Sequence, residues 1–291
     1  MDKVFFCFGM GFVGQTLGAL LLKKGWQVSG TAREEAGCAR LRALGFDAFM
    51  FDGQKPGEGL DEALSQSGYV LNSIPPGKTD PVLHHYGAAL ANLAGLRWLG
   101  LLSTVGVYGE HHGGWVDENT PPAPLAKRSQ ERLAAERGWQ KWGEVSGIAP
   151  HIFRLPGIYG KGRNQLEAVK RGRARRLVKK GQVFNRAHVE DIAQTLYASM
   201  QKPDAGHLFN ISDDEPAPPQ NVVSYACELL GVAPPPEVAF ETADLSPMAR
   251  SFYGECKRVR NDLIKQRLGV KLKYPTYREG LRGLVGDKEE F

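Results

Sequence analysis

Residues 3–14 read Lys-Val-Phe-Phe-Cys-Phe-Gly-Met-Gly-Phe-Val-Gly, and a run with helical patterning continues to residue 24. A short apolar strand therefore leads through a glycine turn into a helix, and residues 26–31 predict a second strand directly after it. The order of strand, Gly-x-Gly-x-x-Gly turn, helix and strand is typical of a βαβ unit that binds a dinucleotide. This stretch predicts both how the fold begins and what it binds.

Each glycine of the turn has its own physical reason. Gly9 allows a tight turn out of the strand, Gly11 lets the backbone approach a pyrophosphate, and Gly14 lets the helix lie close to the sheet. The helix would begin near Phe12 and point its unpaired N–H groups and its positive dipole end at the phosphates. The first predicted cofactor-binding residues are therefore Gly9, Met10, Gly11, Phe12, Val13 and Gly14.

Working outward from the turn, apolar strand patterns alternate with helical patterns over the first 160 residues. Further strands are predicted at residues 47–51, 69–74, 98–102 and 151–155, and helices at residues 33–44, 58–65, 81–94 and 126–142. Such alternation predicts a parallel sheet with right-handed crossovers, in which ligands bind beyond the carboxyl ends of the strands. We expect an α/β fold with a Rossmann-type, doubly wound parallel sheet.

The chain is predicted to divide into two unequal domains. Residues 1–160 would form the dinucleotide-binding domain, and residues 161–291 a smaller mixed α/β substrate domain to which proline-rich stretches contribute. Residues 186–212 are expected to return to the large sheet. Irregular segments are predicted at residues 106–125 and 161–182, and helices at residues 220–230 and 254–267.

Composition excludes several classes of protein. The 291 residues are 42% hydrophobic and 24% charged, which is ordinary for a globular protein with ample core. The longest apolar runs are too short to cross a bilayer, and the N-terminus lacks the layout of a signal peptide. The four cysteines are scattered without metal-ligand spacing and predict reduced thiols. We expect a cytoplasmic protein with neither a metal site nor a membrane partner.

A mild basic excess is concentrated in one segment. The net charge is +5, and much of it lies in residues 170–180. Such a run can bind nucleic acid, but it has no interleaved aromatic residues and no recognisable nucleic-acid module around it. A solvated basic face, or the rim of a pocket for an anionic ligand, is favoured over a nucleic-acid partner.

Four segments, taken in order, carry a resemblance to a known family. They are the glycine turn, Leu-Ser-Thr-Val-Gly-Val-Tyr-Gly at residues 102–109, Phe-Arg-Leu-Pro-Gly-Ile-Tyr-Gly at residues 153–160, and Ala-His-Val-Glu-Asp at residues 187–191 with Asn-Ile-Ser-Asp-Asp-Glu at residues 210–215. The chain resembles an extended short-chain dehydrogenase/reductase of the NAD(P)-dependent epimerase/dehydratase kind. The resemblance implies a nicotinamide cofactor, a small-molecule substrate and a homodimer built on two of the predicted helices.

One departure from this family concerns its proton-transfer pair. In the family a Tyr and a Lys four residues later lie on the helix that ends in a pattern like Leu-Ala-Ala-Glu136, where the Tyr transfers a proton and the Lys holds the ribose. Counting back from Glu136 puts Arg128 at the Tyr position and Arg132 at the Lys position. Arginine stays protonated and cannot act as the base. The chain therefore resembles atypical members that keep the cofactor site and lose the Tyr-Lys pair.

The resemblance also supplies the candidate catalytic residues. The family's hydroxyl position falls on Thr104, with Ser103 beside it. Arg132 would grip ribose hydroxyls, and Arg128 would hold an anionic substrate or stabilise an oxyanion. The alternative is that both arginines are solvated charges on a helix surface.

Tyrosines and histidines near these segments are alternative sources of a base. Tyr108 and Tyr159 match positions that are tyrosine in members with the usual pair, which favours structural roles for both. Glu110, His111 and His112 lie on a glycine-rich loop that could cover the site, although adjacent histidines in such a loop are more often exposed than catalytic.

The end of the second predicted strand bears on the choice between NADP and NAD. No carboxylate for a ribose 2′-hydroxyl precedes Glu34, whereas Thr31 and Arg33 suit a 2′-phosphate, so NADP is favoured over NAD. The resemblance places Asp52 at the adenine and Ile74 and Pro75 beside the nucleotide. An ordinary Asp-Gly turn is the alternative interpretation of Asp52.

Two functions from different classes follow. The first is an NADP-binding atypical epimerase, dehydratase or reductase that acts on a small carbonyl or hydroxyl substrate, anionic or nucleotide-linked, with Thr104 polarising the reacting oxygen. The second is a non-catalytic NADP-binding sensor or interaction protein. The missing Tyr favours the sensor, and the complete set of substrate-domain segments favours the enzyme.

Overall fold

The computed structural model describes residues 3–203 and 207–285, which contain a parallel sheet with helices on both faces. The strands, numbered along the chain, are β1 (Val4–Phe8), β2 (Gln27–Ala32), β3 (Asp47–Met50), β4 (Tyr69–Asn72), β5 (Trp98–Thr104), β6 (Trp115–Val116), β7 (His151–Leu155), β8 (Gly157–Tyr159), β9 (Arg176–Val178), β10 (Arg186–His188), β11 (Leu208–Asn210), β12 (Glu237–Ala239) and β13 (Arg258–Val259). The helices are α1 (Phe12–Leu22), α2 (Glu35–Ala43), α3 (Leu60–Ser65), α4 (Pro81–Ala91), α5 (Lys127–Ser146), α6 (Gln165–Lys170), α7 (Val189–Met200), α8 (Pro219–Leu230), α9 (Pro247–Phe252), α10 (Asp262–Leu268) and α11 (Tyr277–Val285). A 3-10 helix at Val105–Tyr108 follows β5.

The main sheet has the order β11-β7-β5-β4-β1-β2-β3, and every neighbouring pair is parallel. The chain runs outward from β1 to β3 and then crosses back to β4 on the other side of β1. A crevice forms at the carboxyl ends of β1 and β4 because the helices that follow them leave on opposite faces. The predicted Rossmann-type doubly wound sheet is confirmed.

Strand β1 lies inside the sheet, between β4 and β2, and is buried on both faces. Phe5 and Cys7 belong to the core cluster that contains α1 and α7, whereas Phe6 and Phe8 belong to the cluster that contains α3, α4 and α5. This alternation follows from the two-residue period of a strand, and a continuous apolar sequence is the result of burial on both sides.

Small residues bring α1 close to the sheet. A Cβ atom added at Gly14 would lie 2.9 Å from Sγ of Cys7, and one added at Gly30 would lie 2.8 Å from the carbonyl oxygen of Cys7. Both distances are shorter than any ordinary carbon contact. A side chain at either position would therefore push α1 or β2 away from β1.

The chain after β7 forms two two-stranded parallel sheets, β8 with β10 and β9 with β12, and its strand β13 pairs in parallel with β6, which precedes β7. A separate core cluster of α6, α8 and α11 packs beside them. Within this part of the chain β11 pairs with β7 at the edge of the main sheet. The outer ends of the two predicted domains, residues 1 and 291, lie outside the described residues.

The predicted helix at residues 254–267 is wrong in its first half. That half contains β13, and the helix α10 begins only at Asp262. Arg258 and Val259 pair with β6, and the Val259 N–H donates to Oδ1 of Asn185 at 2.8 Å. These partners are distant in sequence, so they override the local helical pattern. The segments predicted as irregular also contain short elements, which are the 3-10 helix, β6, α6 and β9.

A buried ion pair joins α5 to the main sheet. Nη2 of Arg154 lies 2.7 Å from Oε2 of Glu136, and the two residues are 3% and 1% exposed. The hydroxyl of Ser103 donates to the same carboxylate, and the ring of Tyr108 lies 4.7 Å from the guanidinium carbon.

Within the described ranges there is no helix long and apolar enough to cross a membrane, and no cluster of metal-binding side chains.

We expect Glu136→Ala to lower the free energy of unfolding by about 3–5 kcal/mol, because it leaves the charge of Arg154 buried without its partner. Urea unfolding followed by circular dichroism measures the change. Glu131→Ala on the same helix is the control, since the Glu131 carboxylate pairs with exposed Lys127 at 3.9 Å and should cost less than about 1 kcal/mol. Equal losses in the two variants would contradict this role of the buried pair.

Candidate functional site

A cleft of about 890 Å³ opens at the carboxyl ends of the central strands. It is lined by the glycine turn after β1 and by residues that follow β2, β3 and β4. This is the edge of a doubly wound sheet at which nucleotides bind, and the volume lies within the range of cofactor sites.

The glycine turn is attached to β2 by two hydrogen bonds. The Gly9 N–H donates to Oγ1 of Thr31 at 2.8 Å, and the Met10 N–H donates to the Thr31 carbonyl at 2.9 Å. Gly9 has a φ of +74°, and a Cβ added there would lie 2.7 Å from Cγ1 of Ile74. Thr31 is buried and its hydroxyl is engaged with the turn. Its contribution to the cleft is thus to hold the backbone in place.

At Gly11 the cleft is open toward the backbone. A Cβ added there would meet only the Gly9 carbonyl oxygen, at 3.9 Å, so a side chain would extend into free space above the turn. Helix α1 begins at the next residue, and no described side chain caps its first N–H groups. Val13 is buried and Phe12 packs against the same core. These two residues can therefore offer a ligand their backbone N–H groups at the positive end of the helix.

The part of the cleft beyond β2 carries positive charge. Arg33 follows β2 with an exposed side chain, and Arg40 of α2 and Lys78 after β4 also line the cleft. Glu34 lies 3.9 Å from Arg40 in an exposed pair that offsets part of this charge. Sequence analysis missed Arg40 and Lys78. Arg40 follows Gly37 by three residues on α2, so both residues lie on the helix face that lines the cleft. This helical spacing is the sequence signal that could have identified Arg40.

Asp52, Ile74 and Pro75 line the same cleft. Oδ1 of Asp52 accepts a hydrogen bond from the Gln54 N–H at 2.9 Å, which is the ordinary Asx turn of an Asp-Gly sequence. The carboxylate is nevertheless exposed at the cleft, where its second oxygen can accept from a ligand. The three residues are brought together as predicted, and contact with a nucleotide stays a prediction.

Arg132 reaches the carboxyl edge of the sheet from α5. Its Nη1 donates to the Leu102 carbonyl at 2.7 Å and to the Ile74 carbonyl at 3.4 Å. Burial lowers the pKa of the Arg132 guanidinium, and the carboxylates of Asp80 and Glu136 oppose that change. The side chain thus links the ends of β4 and β5 beside the nucleotide cleft.

Arg128 lies one helical turn earlier on α5 and points elsewhere. Its Nη1 donates to the hydroxyl of Ser251 at 3.1 Å, and its guanidinium carbon lies 4.3 Å from the centre of the Phe252 ring. The two arginines therefore do not converge, because one contacts the sheet and the other contacts α9. A role of Arg128 in holding substrate stays a prediction.

Ser103 and Thr104 are adjacent on β5 and point to opposite faces. Ser103 is buried and its hydroxyl donates to Glu136, so the proton of that group is already engaged. Oγ1 of Thr104 accepts from the Gly106 N–H at 3.1 Å, which caps the 3-10 helix. Among the described residues no acceptor takes the Thr104 proton. Thr104 thus keeps a donor that a substrate oxygen could accept.

Tyr108 and Tyr159, each followed by a glycine, make contacts within the fold. The Tyr108 hydroxyl donates to Oδ1 of Asn210 at 2.8 Å, and the Tyr159 hydroxyl lies 3.5 Å from the Thr276 carbonyl. Burial raises the pKa of both side chains above the ordinary value for tyrosine. Neither is therefore prepared to accept a proton near neutral pH.

The loop after the 3-10 helix is fixed to the C-terminal part of the chain. Oε2 of Glu110 accepts from the Cys256 N–H at 2.6 Å, and Nε2 of His111 lies 3.0 Å from the Tyr108 carbonyl. His112 has a positive φ of 50° and an exposed ring. Glu110 and His111 accordingly hold the loop in position.

Comparisons with known proteins identify the family. Residues 87–212 match the sequence model of the NAD dependent epimerase/dehydratase family. A solved structure of a functionally unknown conserved protein from Silicibacter pomeroyi DSS is 46% identical, with a TM-score of 0.90 over 99% of this chain and 100% of that chain. The chain belongs to the NAD dependent epimerase/dehydratase family. The predicted resemblance is confirmed. Protein YeeZ of Escherichia coli (strain K12) is 28% identical over 242 residues, which are 78% of this chain and 84% of that protein.

More distant solved structures share the fold. The dTDP-glucose 4,6-dehydratase of Bacillus anthracis str. Ames, solved in complex with NAD, is 16% identical with a TM-score of 0.74, covering 98% of this chain and 96% of that chain. The UDP-glucuronic acid 4-epimerase of Bacillus cereus, also in complex with NAD, is 18% identical with a TM-score of 0.75, covering 97% and 95%. At these identities the likeness is one of fold alone.

We expect Gly11→Val to abolish dinucleotide binding and to leave the fold intact. The valine Cβ would meet only the Gly9 carbonyl oxygen, at 3.9 Å, and the side chain would occupy the open space above the turn. Thermal unfolding with and without NADP measures both properties, and Gly11→Ala should show an intermediate loss of affinity. If NADP still stabilises Gly11→Val as it does the wild type, the turn does not hold the pyrophosphate.

Proposed function

We propose that this protein binds NADP in the cleft and acts as an atypical epimerase, dehydratase or reductase on a small carbonyl or hydroxyl substrate. The single observation that supports this most is the glycine turn, where Gly11 faces open space at the uncapped start of α1. An anion at this point would meet free N–H groups and the positive end of a helix dipole. We retain the division near residue 160, a cytoplasmic location and a homodimer through α4 and α5 as parts of the proposal.

The residues present fit a dinucleotide with a 2′-phosphate better than one without it. Arg33 and Arg40 supply two cations beyond the end of β2, and the nearby Glu34 is directed to Arg40. An acid that could accept from a ribose 2′-hydroxyl would be expected in that position for NAD. NADP is thus our first choice and NAD the second.

The chemistry would divide between cofactor and protein. A bound nicotinamide supplies hydride transfer. Thr104 would donate its free hydroxyl proton as a hydrogen bond to the substrate oxygen, and Arg132 would place positive charge beside it. Because arginine does not release its proton, a water molecule or a residue of the loop after the 3-10 helix would exchange protons with the substrate.

A non-catalytic NADP sensor is the second candidate. The observation that favours it is the engagement of Arg128 with Ser251 and Phe252, which leaves the usual tyrosine position occupied by a structural contact. In that case NADP would stabilise the contact between α5 and α9 and so present a surface to a partner. The two functions differ in one readout, since only the enzyme turns over a substrate.

We expect Arg33→Ala to weaken NADP binding by roughly 1.5–3 kcal/mol and NAD binding far less, because Arg33 would contact only the 2′-phosphate. Isothermal titration calorimetry with both dinucleotides measures the difference. Arg97→Ala is the control, since it removes an exposed arginine outside the cleft, at the amino end of β5, whereas the cleft lies at the carboxyl ends of the strands. Equal losses for NADP and NAD in Arg33→Ala would remove this residue from the 2′-phosphate site.

We expect Thr104→Val to lower turnover by about 10²- to 10³-fold, the effect of removing one donor to a developing oxyanion, with NADP affinity nearly unchanged. Thr104→Ser keeps the hydroxyl and should retain most of the activity. A panel of sugar nucleotides and ketones, followed by NADPH absorbance and product analysis, provides the assay. Full activity in Thr104→Val would exclude the hydroxyl from the reaction. Tight NADP binding without turnover of any substrate would favour the sensor.

A further inference from the structure

A second cavity of about 300 Å³ lies beyond the carboxyl end of β7. It is lined by β8, by residues 163–165, by Arg186 of β10 and by side chains of α8 and α11. Its volume is at the lower end of the range for small-molecule sites. None of its lining residues belongs to the lining of the larger cleft.

Arg186 is a half-buried cation with unused donors. It lies opposite Gly157 in the pairing of β10 with β8, so the neighbouring position offers no side chain that would fill the space. Nη1 donates to the carbonyls of Phe184 at 2.9 Å and Ala217 at 3.3 Å. Among the residues that the structure describes, Nε and Nη2 have no hydrogen-bond acceptor. An arginine keeps its charge even when burial lowers its pKa, so the cavity contains a permanent cation.

Asp213 and, more weakly, Glu215 are the acidic groups whose charge acts on Arg186. No hydrogen bond joins the side chains of Asp213 and Arg186, and Asp213 is a buried residue, 3% exposed. Burial raises the pKa of Asp213 well above its usual value, although Arg186 opposes the rise. The acid is therefore shifted toward its neutral form and does not fully cancel the charge of Arg186.

Arg163 brings a second cation to the cavity and connects it to the nucleotide cleft. The turn that carries it is closed by reciprocal backbone hydrogen bonds with Gly160, of 3.0 and 3.1 Å. Its guanidinium carbon lies 5.9 Å from the centre of the Phe12 ring. Because Phe12 begins α1 directly after the glycine turn, the cavity adjoins the part of the cleft where we place the cofactor's phosphates.

We propose that this cavity binds the anionic group of the substrate, a phosphate or a carboxylate, between Arg163 and Arg186. Guanidinium groups bind both anions through paired N–H donors. The apolar side chains of Val222 and Leu281 and the ring of Tyr277 form an apolar part of the wall and would cover the adjoining carbon skeleton. The inference rests on the proposed function in that the anion belongs to the substrate of the neighbouring cofactor site.

The test is calorimetric titration of the whole protein with inorganic phosphate and with succinate, at constant ionic strength, with and without saturating NADP. We expect Arg163→Gln to weaken binding of the preferred anion by about tenfold or more. The double variant Arg186→Gln/Asp213→Asn should abolish binding, and it replaces both side chains together so that the buried Asp213 carboxyl is not left without the neighbouring cation. Arg173→Gln is the matched control, because Arg173 is an exposed residue of the basic segment outside the cavity.

The outcomes separate this inference from the cofactor proposal. Phosphate binding that depends on Arg163 and Arg186 supports a phosphorylated substrate, and succinate binding with the same dependence supports a carboxylate. Dependence on both arginines without any NADP binding would uphold the cavity and contradict the cofactor site. The inference is overturned if the folded double variant binds anions like the wild type, or if Arg173→Gln loses as much affinity as Arg163→Gln. It also fails if NADP displaces the anion, or if neither anion binds.

Discussion

The contact between the start of α1 and the ends of β1 and β2 is the constraint on which the rest of the structure depends. Cys7 leaves no room for a side chain at Gly14 or Gly30, and the Thr31 hydroxyl and carbonyl hold the backbone of Gly9 and Met10. With those positions fixed, Gly11 can only face the cleft. The same close packing that completes the core therefore creates the open, N–H-rich surface that suits a phosphate.

Helix α5 lacks the Tyr-Lys pair that the family carries on this helix, but charged side chains still attach the helix to the sheet. Arg132 links the carbonyls at the ends of β4 and β5, and one turn later Glu136 forms the buried pair with Arg154. Arg128, in contrast, is turned to Ser251 and Phe252. The helix thus joins the sheet to the C-terminal part of the chain through charged contacts. In the proposed enzyme a proton donor for the substrate would come from outside the usual Tyr position, and the Thr104 hydroxyl, whose proton meets no acceptor among the described residues, is our candidate.

Local pattern was enough to predict the main sheet, because buried parallel strands are continuous apolar runs and the glycine turn has a fixed spacing. It was not enough for β13, whose pairing with β6 joins segments more than 140 residues apart. The lining of the cleft was predicted in part, since Arg33, Asp52 and Ile74 follow strands directly. Arg40 and Lys78 were missed because they come from a helix and from a loop. No sequence pattern could show that Arg163 and Arg186 share a cavity, or that the Ser103 hydroxyl is engaged with Glu136.

The measurement that tests the account most directly is a calorimetric titration of the wild-type protein with NADP and with NAD under the same conditions. The account predicts one dinucleotide bound per chain, with NADP tighter than NAD by about tenfold or more, as expected for a charge-assisted contact to the 2′-phosphate. Absence of binding by both dinucleotides at millimolar concentration would contradict the assignment of the cleft.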